Sequence, residues 1–315
     1  MDRLLWFEEC REAARQRAGV WGWAIGFVLA VCLALWIWLV VEPSDLVIGG
    51  GVESMSRVPM GSDGGAWATD PAIAIDTYFV PQGISADLIA TRWGFSREDC
   101  DAYAAESQRR AAAAWEAGYF DRSVIPVHGH LGEVLLDKDE HVRPGTTVET
   151  LANMRPAFKK DGTVTAGNAS GLNDGAAFMV LASADAASRS GLQPIARVVS
   201  YAVAGVPNEI MGEGPIPASK MVMEKAGLTL DDMDVIESNE AFAAQAIAVS
   251  KGLGLDMEKT NPNGGAIALG HPIGCSGAFI ATKALYELQR IDGRYALVTM
   301  CIGGGQGIAV IFERL

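Results

Sequence analysis

Residues Asn261–Gly277 have the sequence Asn-Pro-Asn-Gly-Gly-Ala-Ile-Ala-Leu-Gly-His-Pro-Ile-Gly-Cys-Ser-Gly, in which glycines surround a single histidine, His271. Thirty residues later, Cys301 stands inside Met-Cys-Ile-Gly-Gly-Gly-Gln-Gly, residues 300–307. Glycine has no Cβ, so another backbone segment or a ligand can approach it closely. A histidine and a cysteine that are each placed among glycines therefore indicate a pocket more than a packed core.

The pattern on either side of this stretch alternates strands with helices. Short apolar strands are predicted at 196–202, 235–236, 295–299 and 307–312, and helices at 217–226, 241–251 and 276–289. An earlier helix is predicted at 96–116, because Ser-Arg-Glu-Asp at 96–99 resembles a capping start. Such alternation is typical of a layered α/β fold. An apolar strand with three glycines occurs twice, at Asp45–Gly51 and at Leu297–Gly305, which predicts two similar halves of which the first is incomplete. The first copy is expected to be a short buried strand that ends in a glycine turn.

Composition limits the possible functions. The chain has 315 residues, half of them apolar, which is enough for one large domain or two moderate ones. Its net charge is −13 and it has no long Lys/Arg block. Nucleic-acid binding is therefore not expected, because phosphates attract a basic surface.

The cysteines and histidines do not form a recognisable metal or disulfide pattern. Five cysteines are scattered without a Cys-x-x-Cys pair, which predicts reduced thiols in a cytoplasmic setting and no zinc site. They are Cys10, Cys32, Cys100, Cys275 and Cys301. His128-Gly-His130 resembles a metal-binding pair, but no carboxylate or cysteine partner has ligand-like spacing, so an exposed loop is favoured and no metal is expected.

Each candidate site residue also has a structural interpretation. A cysteine at a strand end is commonly a small buried hydrophobic residue. Asn239 and Glu240 lie where a short strand leads into a helix, the place where open sheets carry their sites. The alternative at this junction is simple helix capping by Ser238 or Asn239. Only the combination of these motifs favours a catalytic interpretation.

The N-terminal segment leaves three alternatives open. Residues 20–41 contain no charged residue and carry tryptophans near both ends, as a transmembrane helix does. A fully buried helix has the same pattern, and a third possibility is foreign sequence from a frameshift. Only three residues separate this run from the first predicted strand, so a buried helix or a sequence error is favoured over a membrane span.

Five motifs, in order and with matching spacing, resemble those of the thiolase family, the acetyl-CoA acyltransferases. They are Gly-Gly-Val-Glu-Ser-Met-Ser (50–56), Thr-Ala-Gly-Asn-Ala-Ser-Gly (165–171), Asn-Glu-Ala-Phe-Ala (239–243), the histidine stretch above and Cys-Ile-Gly-Gly-Gly-Gln-Gly (301–307). The resemblance covers about Ser44 to Leu315. It implies a layered α/β/α/β/α fold and acyl transfer between CoA thioesters, with CoA and acyl-CoA as substrates and no other cofactor.

The resemblance also implies a role for each matching residue. His271 would be the base that activates the acyl-accepting cysteine, and Cys301 would move the proton at the α-carbon of the second acyl-CoA. Asn239, through a bound water, and His271 would form one oxyanion hole. The backbone N–H of Gly303 would contribute to the other. Two positions, Ala166 and Ser170, would line the pantetheine channel, and Arg143 would lie near the nucleotide end of CoA.

The sequence departs from the family pattern at the nucleophile. Thiolases carry their acyl-accepting cysteine in a Cys-small-Ser/Ala-Gly turn, and the family's spacing leads here to Ile25 followed by Gly26. Cys32 lies seven residues further on, inside the apolar run, where burial would keep a thiol protonated and unreactive. The expectation is an acyltransferase whose covalent step is impaired.

The resulting domain prediction has three parts. Residues 1–42 form an atypical segment with an apolar helix at 20–41. Residues 43–188 form the rest of the N-terminal half, with a loop domain at about 52–165, and residues 189–315 form the C-terminal half. A homodimer or homotetramer in the cytoplasm is expected. The alternatives are a non-catalytic CoA-binding or scaffold protein, and membrane association through residues 20–41.

Overall fold

The computed structural model describes residues 45–62 and 64–315. The expectations for residues 1–42, including the helix at 20–41 and the environment of Cys10 and Cys32, lie outside these residues. The described residues divide into two compact units. The smaller holds 45–47 and 182–190, where Asp45 accepts hydrogen bonds from Ser183 and Arg189. The larger holds all the candidate site residues. The predicted domain boundaries stay predictions.

The described helices and strands alternate along the chain. The strands are β1 (Leu46–Ser54), β2 (Val127–His128), β3 (Val134–Leu136), β4 (Asp174–Ala182), β5 (Ala196–Gly205), β6 (Val235–Ser238), β7 (Tyr295–Ile302) and β8 (Gln306–Arg314). The helices are α1 (Ala66–Thr69), α2 (Pro71–Asp76), α3 (Gln82–Trp93), α4 (Arg97–Glu116), α5 (Val148–Ala152), α6 (Ala184–Arg189), α7 (Pro215–Ala226), α8 (Ala243–Leu253), α9 (Ala266–Leu269) and α10 (Ile273–Ile291). Short 3₁₀ turns lie at Asn208–Glu213 and Leu230–Asp232.

The C-terminal half is organised around a four-stranded mixed sheet in the order β5-β8-β7-β6. Strands β6 and β7 are parallel, whereas β8 runs antiparallel to both β7 and β5. One face packs on α7, where Val222 meets Leu297 and Ile311 in a buried cluster. The other face packs on α10 through Leu288 and its apolar neighbours. The helix-sheet-helix layering confirms the predicted α/β class.

The predicted helix at 96–116 is confirmed. Ser96 accepts a hydrogen bond from the backbone N–H of Asp99, and the Asp99 carboxylate accepts one from the backbone of Ser96. This reciprocal capping box satisfies two backbone donors at the start of α4. The remaining predicted elements of the C-terminal half are present, most of them with slightly longer bounds.

The prediction for the first triple glycine is wrong. Gly49–Gly51 do not end the strand but continue it to Ser54, and β1 is largely exposed. A Cβ on Gly51 would stand 1.8 Å from the carbonyl oxygen of Gly274. Close approach of a neighbouring segment, and not a turn, therefore requires glycine at Gly51. The second triple glycine does form a turn, with φ +89° at Gly304 and +84° at Gly305.

No helix within residues 45–62 and 64–315 is long and apolar enough to cross a membrane.

The His128-Gly-His130 pair lies at the β2–β3 hairpin, where His128 Nδ1 contacts the carbonyl oxygen of Gly132 at 3.2 Å. His128 is exposed, as expected for a surface loop.

Candidate active site

The parallel strands β6 and β7 bring two candidate residues to the same edge of the sheet. Ser238 pairs with Thr299, and the ladder continues through the backbone N–H of Asn239, which donates to the carbonyl oxygen of Thr299 at 2.9 Å. Cys301 follows two residues later on β7. Because both strands end here, their next side chains converge at this edge. The predicted strand-end location of Asn239 and Cys301 is confirmed.

A buried amide attaches the histidine segment to this edge. Asn261 Oδ1 accepts from the backbone N–H of Ser238 at 3.0 Å, and Asn261 Nδ2 donates to the carbonyl oxygen of Ser238 at 2.8 Å. Asn261 adopts φ +45°, a left-handed conformation that asparagine tolerates better than most residues. The Asn261 amide thus bonds both backbone groups of Ser238, as a neighbouring strand would. The segment before His271 is thereby placed beside Asn239.

The buried carboxylate of Glu240 stabilises the same junction through hydrogen bonds. This carboxylate, about 1% exposed, accepts hydrogen bonds from Ser107 Oγ at 2.7 Å and from Asn261 Nδ2 at 2.8 Å. The hydroxyl of Tyr103 and the backbone N–H of Ile267 donate to it at 3.2 Å. The helix α8 begins only at Ala243, and its cap makes no side-chain hydrogen bond. The capping alternative for Ser238 or Asn239 is therefore wrong.

Two hydrogen bonds fix which nitrogen of His271 carries a proton. The hydroxyl of Ser276 donates to the carbonyl oxygen of Pro272 at 2.8 Å, and it also lies 2.6 Å from His271 Nδ1. A hydroxyl has one hydrogen to donate, so it must accept from Nδ1–H. Nε2 is then unprotonated, and it accepts from Asn239 Nδ2 at 3.3 Å. The imidazole has its basic nitrogen on the side of Asn239.

His271 and Cys301 line one cavity of about 550 Å³. Gly303, Ala241 and Gln82 also line it, and its remaining walls are mostly apolar. Its apolar residues include Met179, Leu181, Ile280, Val298, Met300, Val310 and Phe312. The two reactive side chains, separated by helix α10 in sequence, thus face the same space, as the sequence predicts.

Burial favours the uncharged form of both His271 and Cys301. It lowers the pKa of His271 to about 4 and raises the pKa of the Cys301 thiol to about 12. Both shifts follow from the cost of placing a charge where little water reaches it. At neutral pH the imidazole is neutral and able to accept a proton, while the thiol keeps its own.

The lowered pKa of the buried His271 imidazole can be measured directly. Nuclear magnetic resonance titration of the His271 ring is expected to give a midpoint at about pH 4, with His271→Ala used to assign the signal. Since the pKa is lower in the folded chain, the unfolded chain binds this proton first. Stability is therefore lost as pH falls from about 6.5 towards 4, and less of it is lost in His271→Ala. A midpoint near 6.5 would contradict the buried environment.

Asn239, which contacts the His271 ring, and the three positions predicted to bind CoA are absent from this cavity's lining among the described residues. The backbone N–H of Ser170 donates to the carbonyl oxygen of Ala241 at 3.0 Å, which joins the 165–171 segment to the cavity wall. Ala166 is exposed, and Arg143 is exposed with its backbone N–H bonded to Gln108 Oε1 at 2.8 Å. Their roles towards CoA stay predictions.

Sequence reasoning missed two polar contributors. Ser276 lies five residues after His271, and only the fold shows that the helix start turns it back onto the ring. Gln82 lies far from every glycine motif in sequence, and no local signal marks it.

Two family models match the chain. The N-terminal domain model of thiolase matches residues 30–185, and the C-terminal domain model matches residues 192–314. The chain belongs to the thiolase family. The match begins at residue 30, so the resemblance starts earlier than the expected Ser44. Residues 30–43 carry none of the glycine motifs by which a resemblance could be noticed.

Individual thiolases are similar over most of their length. The β-ketothiolase BktB of Cupriavidus necator is 52% identical, over 88% of this chain and 74% of that protein. The mitochondrial 3-ketoacyl-CoA thiolase of Homo sapiens is 46% identical, over 87% and 72%. The crystal structure of the human mitochondrial enzyme in complex with CoA superposes with a TM-score of 0.79 at 43% identity, covering 91% of this chain and 75% of that one. The predicted thiolase fold is confirmed.

Proposed function

We propose that this thiolase acts on CoA thioesters, either cleaving 3-ketoacyl-CoA with CoA or condensing two acetyl-CoA molecules. One observation carries the proposal: the neutral imidazole of His271 and the thiol of Cys301 line one cavity, and Asn239 is bonded to the imidazole. A thioester α-proton is weakly acidic, so its removal needs a base and hydrogen-bond donors to the enolate oxygen at the same place.

The described residues supply both requirements for the α-carbon step. The Cys301 thiol would first pass its proton to the unprotonated Nε2 of His271, and its sulfur would then take a proton from the methyl carbon of acetyl-CoA. The enolate oxygen would be stabilised by the N–H that His271 Nε2 has then gained and by the Asn239 amide. The enolate carbon would then attack a second acyl thioester, forming the carbon–carbon bond and expelling a thiolate; thiolysis is the reverse. The sequence has no family-type cysteine turn to carry that second acyl group, so the covalent step is expected to be impaired.

The proposal is tested with acetyl-CoA in deuterium oxide. The chain is expected to exchange the methyl protons well above the buffer rate, as followed by mass spectrometry. Rapid mixing tests the covalent step separately, through the release of CoA and one acetyl label per subunit. Exchange without label would agree with an impaired covalent step, and exchange with label would show that step intact. Binding of acetyl-CoA without exchange would overturn the proposal in favour of a non-catalytic CoA-binding protein.

Three finer properties belong to the same proposal. A role in fatty-acid degradation and assembly as a homodimer or homotetramer are inferred from family resemblance, and a cytoplasmic location is inferred from the scattered cysteines. The relatives include acetyl-CoA acetyltransferases as well as mitochondrial 3-ketoacyl-CoA thiolases. Light scattering of the purified chain measures the assembly directly.

A further inference from the structure

The cavity contains a polar side chain that the motifs do not account for. Four of its lining residues have polar side chains or a thiol: Gln82, Thr299, His271 and Cys301. Thr299 is already committed, because its hydroxyl donates to the carbonyl oxygen of Ile308 at 2.8 Å. His271 and Cys301 are the reacting pair. Within residues 45–62 and 64–315, the Gln82 amide has no hydrogen-bond partner, so its two N–H donors are available to a ligand.

The amide of Gln82 lies beside the glycine turn. A Cβ built on Gly303 would stand 3.1 Å from Gln82 Nε2. The side-chain nitrogen of Gln82 therefore lies directly beside the α-carbon of Gly303, and both residues line the cavity. Any larger residue at position 303 would take the space between them.

The position of Gln82 is fixed by its neighbours. It is the first residue of α3, and the ring of Phe158 covers that helix start so closely that a Cβ on Gly83 would stand 2.3 Å from it. Ser85 Oγ donates to the carbonyl oxygen of Glu209 at 2.7 Å, which ties α3 to the 208–213 turn. These contacts fix the backbone from which the exposed side chain of Gln82 extends.

We propose that Gln82 is a specificity-determining residue that donates a hydrogen bond to the 3-oxo oxygen of a 3-ketoacyl thioester, next to Gly303. The inference rests on the proposed function. Gln82 would thereby distinguish acyl groups that carry an oxygen on the third carbon from saturated acyl groups of equal length. The apolar walls offer a saturated chain the same contacts, so the difference depends on this donor.

Binding of acetoacetyl-CoA and butyryl-CoA tests the inference, because the two acyl chains have equal length and differ in the 3-oxo group. Isothermal calorimetry on the whole chain is expected to show about fivefold tighter binding of acetoacetyl-CoA, the size of one neutral hydrogen bond. Gln82→Met keeps the length of the side chain without its donor, and it should bring the two Kd values within about twofold. Gln82→Glu should reverse the preference, because a carboxylate repels the oxygen.

Gln306→Met provides the matched control. This substitution removes a carboxamide from the same glycine turn. Gln306 is not among the described residues that line the cavity. The preference for acetoacetyl-CoA should persist in this variant. A preference that survives Gln82→Met, or a wild-type chain that binds both ligands equally while still exchanging acetyl-CoA protons, would overturn the inference alone. A wild-type chain that binds neither ligand and exchanges no protons would overturn the proposed function instead.

Discussion

Replacing Cys301 by alanine is expected to lower the rate of deuterium exchange into the methyl group of acetyl-CoA by about 10²–10⁴-fold, the usual contribution of a placed acid or base. The thiol is buried to about 6% exposure and lines the cavity beside Gly303. Alanine leaves the β7 ladder intact, because Cys301 pairs with Gly307 through backbone atoms alone. The measurement is mass spectrometry of acetyl-CoA incubated in deuterium oxide.

His271→Ala should reduce exchange to a similar extent, because Cys301 loses the acceptor of its proton and Asn239 loses the acceptor that orients it. The double variant should be little worse than either single one, since residues acting as a unit are not additive. Cys275→Ala is the matched control: this thiol is about 2% exposed and is absent from the described cavity lining. A chain in which Cys275→Ala stops exchange while Cys301→Ala does not would contradict the assigned roles. So would a His271→Ala variant that unfolds while exchange continues.

The sequence was informative where a local pattern determines the structure. Ser96 three residues before Asp99 predicts the start of α4, because a capping box is formed entirely within one turn. The layered class followed from the alternation of strands and helices, which depends on periodicity along the chain.

The errors and omissions arise from contacts between distant segments. Gly51 is glycine because the backbone of Gly274 passes close to it, and nothing near Gly51 in sequence reports that approach. Helix capping was the alternative at the Asn239 junction, and only the fold shows that the backbone of Ser238 there bonds to the Asn261 amide instead. Gln82 reaches the cavity only because α3 packs against the 208–213 turn. The residues that stay untested, Arg143, Ala166 and Ser170, were assigned from family resemblance alone.

The largest stability effect is expected at a buried ion pair behind the active site. Lys283 Nζ lies 2.5 Å from Glu237 Oε2, and both side chains are at most 3% exposed. Burial raises the pKa of Glu237 to about 7, against the opposing attraction of Lys283. The other carboxylate oxygen of Glu237, Oε1, has no hydrogen-bond partner among the described residues. Removing the lysine therefore leaves a carboxylate that must either stay charged without a partner or take up a proton.

Lys283→Met is accordingly expected to lower the free energy of unfolding by about 3–5 kcal/mol, as measured by urea denaturation. Glu237→Leu combined with Lys283→Met should recover most of this loss, because an apolar pair of similar volume carries no desolvation cost. The exposed pair formed by Arg109 and Glu106, with side chains 66% and 41% exposed, is the control. Arg109→Met should cost less than about 1 kcal/mol.

The pair also links the two elements that orient His271. Glu237 lies two residues before Asn239 on β6, and Lys283 lies two helical turns after Ser276 on α10. If the ion pair specifies how helix and strand align, the double variant should be stable but slower in α-proton exchange, because the Asn239 and Ser276 contacts to the ring are then less well placed. A double variant that is both stable and fully active would show that apolar packing alone fixes the alignment. A single Lys283→Met variant as stable as the parent would show that Glu237 finds another way to lose its charge.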